Sequence, residues 1–252
     1  MQRYFFRISY DGSSFNGWQI QPKVTSVQET IEQTLGKLFA KSKLPIVGCG
    51  RTDTGVHASC YFFHVDLPDN RYDEADLLFK VNGMLPSSIA VSSVFKVAND
   101  FHARFDAVSR TYRYFIHQQK DPFKNLYSYY YRGDLDFDKM SAAAQLLKGR
   151  QDFTSFSRLH TDVKSNFCEV AKAEWVKEDQ YSYYFEITAN RFLRNMVRAI
   201  VGTLLEVGKN KLTIDEFQSV IAQKNRSLAG ASAPANGLFL YNVVYPFDDQ
   251  KE

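Results

Sequence analysis

Length, composition and charge limit the class of this protein. The chain has 252 residues, of which 44% are hydrophobic and 23% charged, a balance that supports a folded core and excludes an intrinsically disordered chain. Its 31 basic and 28 acidic residues leave a net charge of only +3, so binding to nucleic acid would require the basic groups to be concentrated on one face.

Three features of the sequence indicate the cellular compartment of the protein: its cysteines, its amino terminus and its hydropathy pattern. Three cysteines without a CxxC pair give no support to a disulfide framework or a metal site. The opening stretch MQRYFFRISYDG lacks the apolar core of a signal peptide, and no apolar run reaches the roughly 20 residues that span a bilayer. We therefore expect a soluble, cytoplasmic protein with reduced thiols.

The first hundred residues predict the order β-α-β-β-α-β. Ser26 followed by Glu29 has the pattern of a capping box and marks the start of the first helix. Apolar runs bounded by turn residues predict strands, and apolar residues at helical spacing predict helices. The strands are expected at 4–10, 46–50, 60–67 and 89–97, and the helices at 26–40 and 73–85.

The second half nearly repeats that order, although no sequence repeat is visible. The predicted elements are a strand at 110–118, a helix at 136–149 closed by Gly149, a hairpin around 169–189, helices at 191–207 and 213–223, and a strand at 237–246. The duplicated order predicts an α+β protein of two ferredoxin-like (RRM-like) halves, over residues 1–105 and 106–252.

The stretch GCGRTDTGVHAS, residues 48–59, places Asp53 on a loop between two predicted strands. An Asp in such a turn either caps its own backbone or serves as a reactive carboxylate. A reactive carboxylate must stay ionised, and a neighbouring guanidinium is the usual means. Arg51 is close in sequence, but side chains two residues apart on an extended segment need not converge on one ligand.

Two further segments carry arginines in patterns that suit RNA. The segment NRFLRNMVRAIVGTLLEVG has an apolar stripe at helical spacing, and beside it stand Arg191, Arg194 and Arg198. This pattern predicts either a solvent-exposed arginine edge or a set of arginines that bind a carboxylate or a phosphate. In FHARFDAVSRTYRYF, residues 101–115, arginines alternate with aromatic residues that could stack on bases. Tyr112 and Tyr114 share one face of the strand, and Tyr114 is expected in the core.

No motif for a nucleotide cofactor, a metal or a hydrolase nucleophile is present. The chain has no GxGxxG, GxxxxGK[ST] or GxSxG sequence, and its five histidines have no HxxxH or HExxH spacing. We therefore predict a protein without cofactor or metal. From the residues alone, no reaction can be assigned.

Five stretches of the sequence resemble the TruA family of tRNA pseudouridine synthases. GRTDTGVHA is similar to the catalytic-loop motif of that family, and YDGSSFNGWQIQP, FHARFDAVSRTYRY with NRFLRNMVRAIVG, and AGASAPANGLFLYNVVYP are similar to its other blocks in the same order. The resemblance implies a homodimeric isomerase whose two halves join their antiparallel sheets around a central RNA-binding cleft. It also implies conversion of uridine to pseudouridine at positions 38, 39 and 40 of the tRNA anticodon arm.

The resemblance also implies roles for individual residues. Asp53 would be the catalytic residue, attacking the sugar C1′ or the uracil C6, or removing a proton from C2′. Tyr112 would stack on the target uracil, and Arg198 would pair with the aspartate. Arg51 would hold the flipped nucleotide out of its helix, and Leu240 would form an apolar wall of the uracil pocket. We expect the remaining tRNA contacts from Arg104, Arg110, Arg191 and Arg194.

Two other functional classes remain open from the sequence. A non-catalytic tRNA chaperone on the same scaffold would keep the basic and aromatic clusters, but it would not need Asp53 or Arg198. A pseudouridine synthase of another specificity would keep both residues and act on other RNA positions.

Overall fold

The computed structural model of the chain describes residues 1–158 and 165–247. They form two compact units, the first of Met1–Val108 together with the chain from Leu240, and the second of Ser109–Phe239. Both units combine helices with mostly antiparallel strands. The α+β class predicted from the sequence is therefore confirmed for each.

The first unit follows the predicted β-α-β-β-α-β order. Its strands run in the order β4-β1-β3, and β2 also pairs with β3. The helices begin at capped residues, since Ser26 accepts a hydrogen bond from Glu29 N at the first and Asp73 accepts one from Asp76 N at the second. The elements are β1 (Gln2–Tyr10), α1 (Val27–Leu38), β2 (Val47–Gly48), β3 (His57–Leu67), α2 (Glu74–Met84) and β4 (Ile89–Lys96).

The core of the first unit lies on both faces of β1 and β3. Phe6 stacks on Phe63 of the paired strand, with ring centroids 4.8 Å apart. Phe5, on the opposite face, meets the ring of Tyr245 edge-on at 5.5 Å. Since the Tyr245 hydroxyl also donates to Ala103 O at 2.5 Å, the last described residues of the chain are fixed to this unit.

The second unit has the strand order β5-β9-β8-β7, and β6 pairs in parallel with β5. A capping box, in which Thr213 and Glu216 exchange hydrogen bonds, begins its last helix. The elements in chain order are β5 (Ser109–His117), β6 (Tyr129–Tyr130), α3 (Phe137–Gln145), β7 (Gly149–Asp152), β8 (Phe167–Lys177), β9 (Ser182–Ala189), α4 (Met196–Gly208), α5 (Ile214–Gln223) and β10 (Leu238–Val244), which continues into the first unit.

Two predicted helix boundaries in this unit are wrong. Helix α3 ends at Gln145, four residues before Gly149, because the next three backbone N–H groups bond to carbonyl oxygens three residues back instead of four. Gly149 instead opens β7 with a φ of +89°. Helix α4 begins at Met196 rather than at residue 191, since Asn195 has a left-handed φ of 65°. The predicted helical stripe of arginines therefore does not form, as Arg191 and Arg194 precede the helix.

Candidate active site

Asp53 lies on the loop between β2 and β3, as the sequence predicts. Its side chain is half-buried, while Arg51 is exposed and Thr52 is buried. The Thr52 hydroxyl hydrogen-bonds Tyr10 Oη at 2.9 Å, and the Asp53 carbonyl oxygen accepts from Val56 N at 3.1 Å. The backbone is thus held on both sides of the carboxylate, which limits where Asp53 can point.

The segment after β1 packs directly under this loop. Trp18 N donates to Thr52 O at 3.2 Å, and Gly12 N donates to Nδ1 of the buried His57 at 3.0 Å. Gly17 has a φ of +80°, and a Cβ there would lie 2.5 Å from Thr52 O. A Cβ at Gly12 would collide with the Val56 carbonyl oxygen. These two glycines support the loop by being small, and the site predicted from the sequence did not include them.

The other end of the loop is held by an aromatic pair. The Tyr61 hydroxyl donates to Gly50 O at 2.5 Å, and its ring stacks on Trp18 with centroids 4.0 Å apart. Both rings close over Gly48, where a Cβ would meet Tyr61 Oη and the Trp18 ring. The loop is therefore fixed at its beginning, middle and end by residues of the first unit.

Arg198 lies in the first turns of α4 and is bound to the segment that precedes β10. Its Nε donates to Ala233 O at 2.8 Å, and Ala233 N donates to Arg198 O at 2.9 Å. A Cβ at Gly202, one turn further along α4, would collide with the Ala231 carbonyl oxygen. Close packing of this segment on α4 therefore fixes the Arg198 side chain at its Nε.

Tyr112 is half-buried on β5, and its ring meets Phe192 edge-on at 5.0 Å. Tyr114, on the same face of the strand, is fully buried, which confirms the prediction that it belongs to the core. On the other face, Arg113 Nε donates to the buried Glu186 at 2.5 Å, and Lys172 also pairs with Glu186 at 2.7 Å. Burial alone would raise the pKa of Glu186, but the bonds from Lys172 and Arg113 hold it below its ordinary value.

The remaining predicted contact residues differ in their surroundings. Arg104 and Arg194 are exposed, and the Arg104 guanidinium lies 5.8 Å from the Phe105 ring centroid. Arg110 donates to Asn190 O at 2.9 Å, and Arg191 donates to Ser165 O at 3.1 Å. Leu240 is 1% exposed. The arginines are thus held by backbone carbonyls or exposed, while Leu240 lies within the core.

Two histidines fix the turn that presents Arg104. His64 Nδ1 accepts from Ala103 N at 3.0 Å, and His102 Nδ1 accepts from Arg104 N at 3.0 Å. Accepting nitrogens must be unprotonated, in keeping with burial and the nearby Arg3, which lower the pKa of His64 to about 4. The pKa of His102 is lowered for the same reasons. Neutral imidazoles therefore organise this turn.

Within residues 1–158 and 165–247, no three His, Cys, Asp or Glu side chains are grouped so that they could hold a metal ion, and no helix is long and apolar enough to cross a membrane. His160, one of the five histidines, lies outside the described residues.

Comparison with known proteins identifies the family. A family model described as tRNA pseudouridine synthase matches residues 7–106 and 143–246. The tRNA pseudouridine synthase A of Bacteroides fragilis is 51% identical, over 98% of this chain and 97% of its own. The protein of that name from Bacillus subtilis is 42% identical, over 94% and 97%. A solved archaeal box H/ACA sRNP Nop10–Cbf5 complex gives a TM-score of 0.37 at 12% identity, over 81% of this chain and 43% of that one.

The matched regions contain both the Asp53 loop and the segment of α4 that holds Arg198. Near-complete coverage of relatives at 42–51% identity leaves no large part of either chain unmatched. The chain therefore belongs to the tRNA pseudouridine synthase family and is an isomerase that converts uridine to pseudouridine in tRNA.

Proposed function

We propose that the enzyme isomerises uridines of the tRNA anticodon stem-loop, at positions 38, 39 and 40, with Asp53 as its catalytic nucleophile. The observation that carries the proposal is the fixed loop around Asp53. Hydrogen bonds to Thr52 O, to the Thr52 hydroxyl and to Asp53 O hold the loop, and Asp53 as a whole residue is half-buried. Pre-organised carboxylates of this kind suit covalent and acid–base chemistry.

The reaction breaks the bond between C1′ and N1 of the uridine and forms a bond between C1′ and C5. The C5 proton leaves and N1 gains one, so the product is an isomer and no oxidant, reductant or metal enters the balance. Asp53 begins the reaction by attack on C1′, attack on C6 or removal of the C2′ proton. Each of these steps requires the ionised carboxylate, and a guanidinium near the carboxylate favours that form.

We assign the other roles around the same uridine. Tyr112 stacks on the uracil and receives the C5 proton, Arg198 pairs with the Asp53 carboxylate, and Leu240 forms the apolar wall. Arg51 occupies the space that the flipped nucleotide leaves, which offsets the few kcal/mol that unstacking costs. Arg104, Arg110, Arg191 and Arg194 bind tRNA phosphates. The anchoring of Arg198 Nε on Ala233 O supports this assignment, since a fixed guanidinium presents its charge in one direction.

We further propose two ferredoxin-like halves, a cleft that receives the anticodon arm, a homodimer and a cytoplasmic location. The strand order β4-β1-β3-β2 of the first unit, with helices after β1 and β3, supports a ferredoxin-like plan for that half. In the second unit, a strand, a helix, the β8–β9 hairpin, further helices and a final strand follow in a similar order.

The test compares wild type, Asp53→Asn and Asp100→Asn on unmodified tRNA with uridine at positions 38, 39 and 40. Asp53→Asn keeps the side-chain shape but removes its charge, whereas Asp100 is an exposed aspartate elsewhere in the same unit. We expect pseudouridine from wild type and Asp100→Asn, and none from Asp53→Asn with tRNA affinity retained. Pseudouridine formed by Asp53→Asn would refute the catalytic assignment, and modification outside the anticodon arm would refute the position. Binding by all three without any modification would favour a tRNA chaperone.

A further inference from the structure

A series of four aromatic rings runs from the core of the first unit to its surface. Phe5, which is fully buried on β1, stacks on the His64 ring with centroids 5.9 Å apart. The His64 ring meets the His102 ring edge-on at 4.9 Å, and the His102 ring packs on Phe105 at 4.3 Å. Phe105, the last of the series, is 74% exposed. The series therefore ends in a ring that an imidazole supports and that is largely open to solvent.

The turn that carries Phe105 is also fixed through its backbone. His102 Nδ1 accepts a hydrogen bond from Phe105 N at 3.3 Å, in addition to the bond from Arg104 N. Asp106 closes the turn, since its N–H donates to His102 O at 3.1 Å and its carboxylate accepts from His102 N at 2.6 Å. Phe105 is thus held in place before any ligand binds, which lowers the entropy lost when a planar group packs on its ring.

The surroundings of the ring suit a nucleotide. The exposed Arg104 carries a guanidinium 5.8 Å from the centroid of the Phe105 ring. Such a pair can bind both parts of a nucleotide, because the base stacks on the ring while the phosphate pairs with the cation. The substrate of the family is tRNA, which offers bases and phosphates together.

The form of the tRNA limits which bases could bind. Bases within a duplex stack on one another, so a protein side chain reaches the face of a base only where that base is unpaired or turned out of its helix. A base of a tRNA loop fulfils this condition without the cost of opening a pair.

We propose that the exposed face of Phe105 is a binding site for an unpaired base of the tRNA, which stacks on the ring and extends the series of rings by one. Phe105 binds the RNA and takes no part in the making or breaking of bonds. The inference goes beyond the proposed function, because it requires tRNA as the substrate but neither the role of Asp53 nor the anticodon positions.

The experiment measures the affinity for unmodified tRNA and the rate of pseudouridine formation in Phe105→Leu, Phe105→Tyr and the control Phe79→Leu. Leucine keeps an apolar side chain but has no ring face, whereas tyrosine keeps the ring. Phe79, on α2 of the same unit, is 81% exposed, so its replacement removes a ring of similar exposure.

Only Phe105→Leu should bind tRNA more weakly. We expect its Kd and KM to rise about tenfold with kcat unchanged, which is the size of effect that one stacked base contributes. Phe105→Tyr and Phe79→Leu should bind as the wild type does. The Kd of Phe105→Leu should rise by the same factor at every salt concentration, because no charge is lost, whereas Arg104→Gln should lower the salt dependence itself.

Three results would overturn the proposal. Wild-type affinity in Phe105→Leu would show that no base binds the ring, and an equal loss in Phe105→Tyr would show that a ring face is not what the position supplies. Dissociation of a dimer in Phe105→Leu, measured by sedimentation without tRNA, would assign the ring to an interface between copies of the chain. Failure of the proposed function is distinct, because it would appear as pseudouridine formation by Asp53→Asn and would leave the tRNA affinities of the Phe105 variants as expected.

Discussion

Gly17 packs directly against the carbonyl oxygen of Thr52, the residue before Asp53. A Cβ at Gly17 would lie 2.5 Å from that oxygen, and the glycine has a φ of +80°. Trp18 N donates to the same oxygen at 3.2 Å. The position of the Asp53 loop thus depends on a glycine more than thirty residues earlier in the chain, for two reasons, its backbone conformation and its lack of a side chain.

Gly17→Ala should therefore impair both the fold and the reaction. The left-handed backbone alone costs an alanine about 1–3 kcal/mol, and the new methyl group must displace Thr52 or Gly17 itself. We expect a lower free energy of unfolding in urea and a kcat reduced by more than tenfold in the fraction that remains folded. Gly50→Ala is the matched control, because a Cβ at Gly50, in the same loop, meets no atom within 4 Å. Similar losses in the two variants would contradict the packing argument.

Gly202→Ala should disturb the segment that fixes Arg198. The added methyl group would collide with the Ala231 carbonyl oxygen, so the chain that carries Ala233 must move away from α4. We expect a loss of about 1–3 kcal/mol in unfolding free energy, typical of overpacking, and a further fall in kcat. The contrasting variant is Gly83→Ala in α2, which is exposed and meets no atom within 4 Å. It should gain about 0.5–1 kcal/mol from helix propensity and keep its activity. Equal stability of the two variants would contradict the prediction.

Element order could be predicted from the sequence because it follows from local patterns. Apolar runs, capping residues and turn residues located the β-α-β-β-α-β order and the Asp53 loop. The start of α4 could not be found in this way, since the apolar periodicity continues through Phe192 and Leu193 into the helix. The interruption is the left-handed Asn195, a backbone conformation that periodicity does not report.

The residues that hold the Asp53 loop in place could not be predicted from the sequence, for a different reason. Gly12 and Gly17 act through the space they leave, and only the folded chain shows which atoms occupy that space. Gln151 holds the turn after α3 through its side-chain amide, which donates to Leu146 O and Lys148 O. Sequence patterns report which residues are apolar or reactive, but they do not report which backbone atoms approach one another.

Stability should fall with acid because of His64. Its pKa is about 4 in the folded protein, below its ordinary value of 6.5, so the unfolded chain binds the proton more tightly. The contribution of neutral His64 to the free energy of unfolding is complete above about pH 6.5. It is lost as the pH falls toward 4, which lowers that free energy by about 1–3 kcal/mol. The pKa of His102 is also lowered, so its protonation destabilises the folded protein in the same way. The charge of Arg3 lowers the pKa of His64 further, whereas the charges of Asp66 and Asp106 raise it. Urea unfolding at pH 7 and pH 5 measures the difference.

His64→Asn separates this titration from the hydrogen bond. The Asn Oδ1 lies where Nδ1 of His64 accepts from Ala103 N, but the amide does not titrate. The difference in unfolding free energy between pH 7 and pH 5 should therefore be smaller in this variant than in wild type. An unchanged difference would show that other groups cause the acid sensitivity.

Binding of tRNA should weaken steeply with salt, although the net charge is only +3. Affinity follows the number of phosphates neutralised locally, so each phosphate contact adds about 0.7–0.9 to the slope of log K against log salt. Four single variants test this, in which glutamine replaces Arg104, Arg110, Arg191 or Arg194. Each should lower that slope by roughly this amount, with little change in kcat. Arg71→Gln is the control, because Arg71 is already paired with Asp69 at 2.6 Å and belongs to no predicted contact. A slope that is unchanged in all four variants would mean that the phosphate contacts are made by other residues, since these guanidinium groups would then displace no counterions from the RNA.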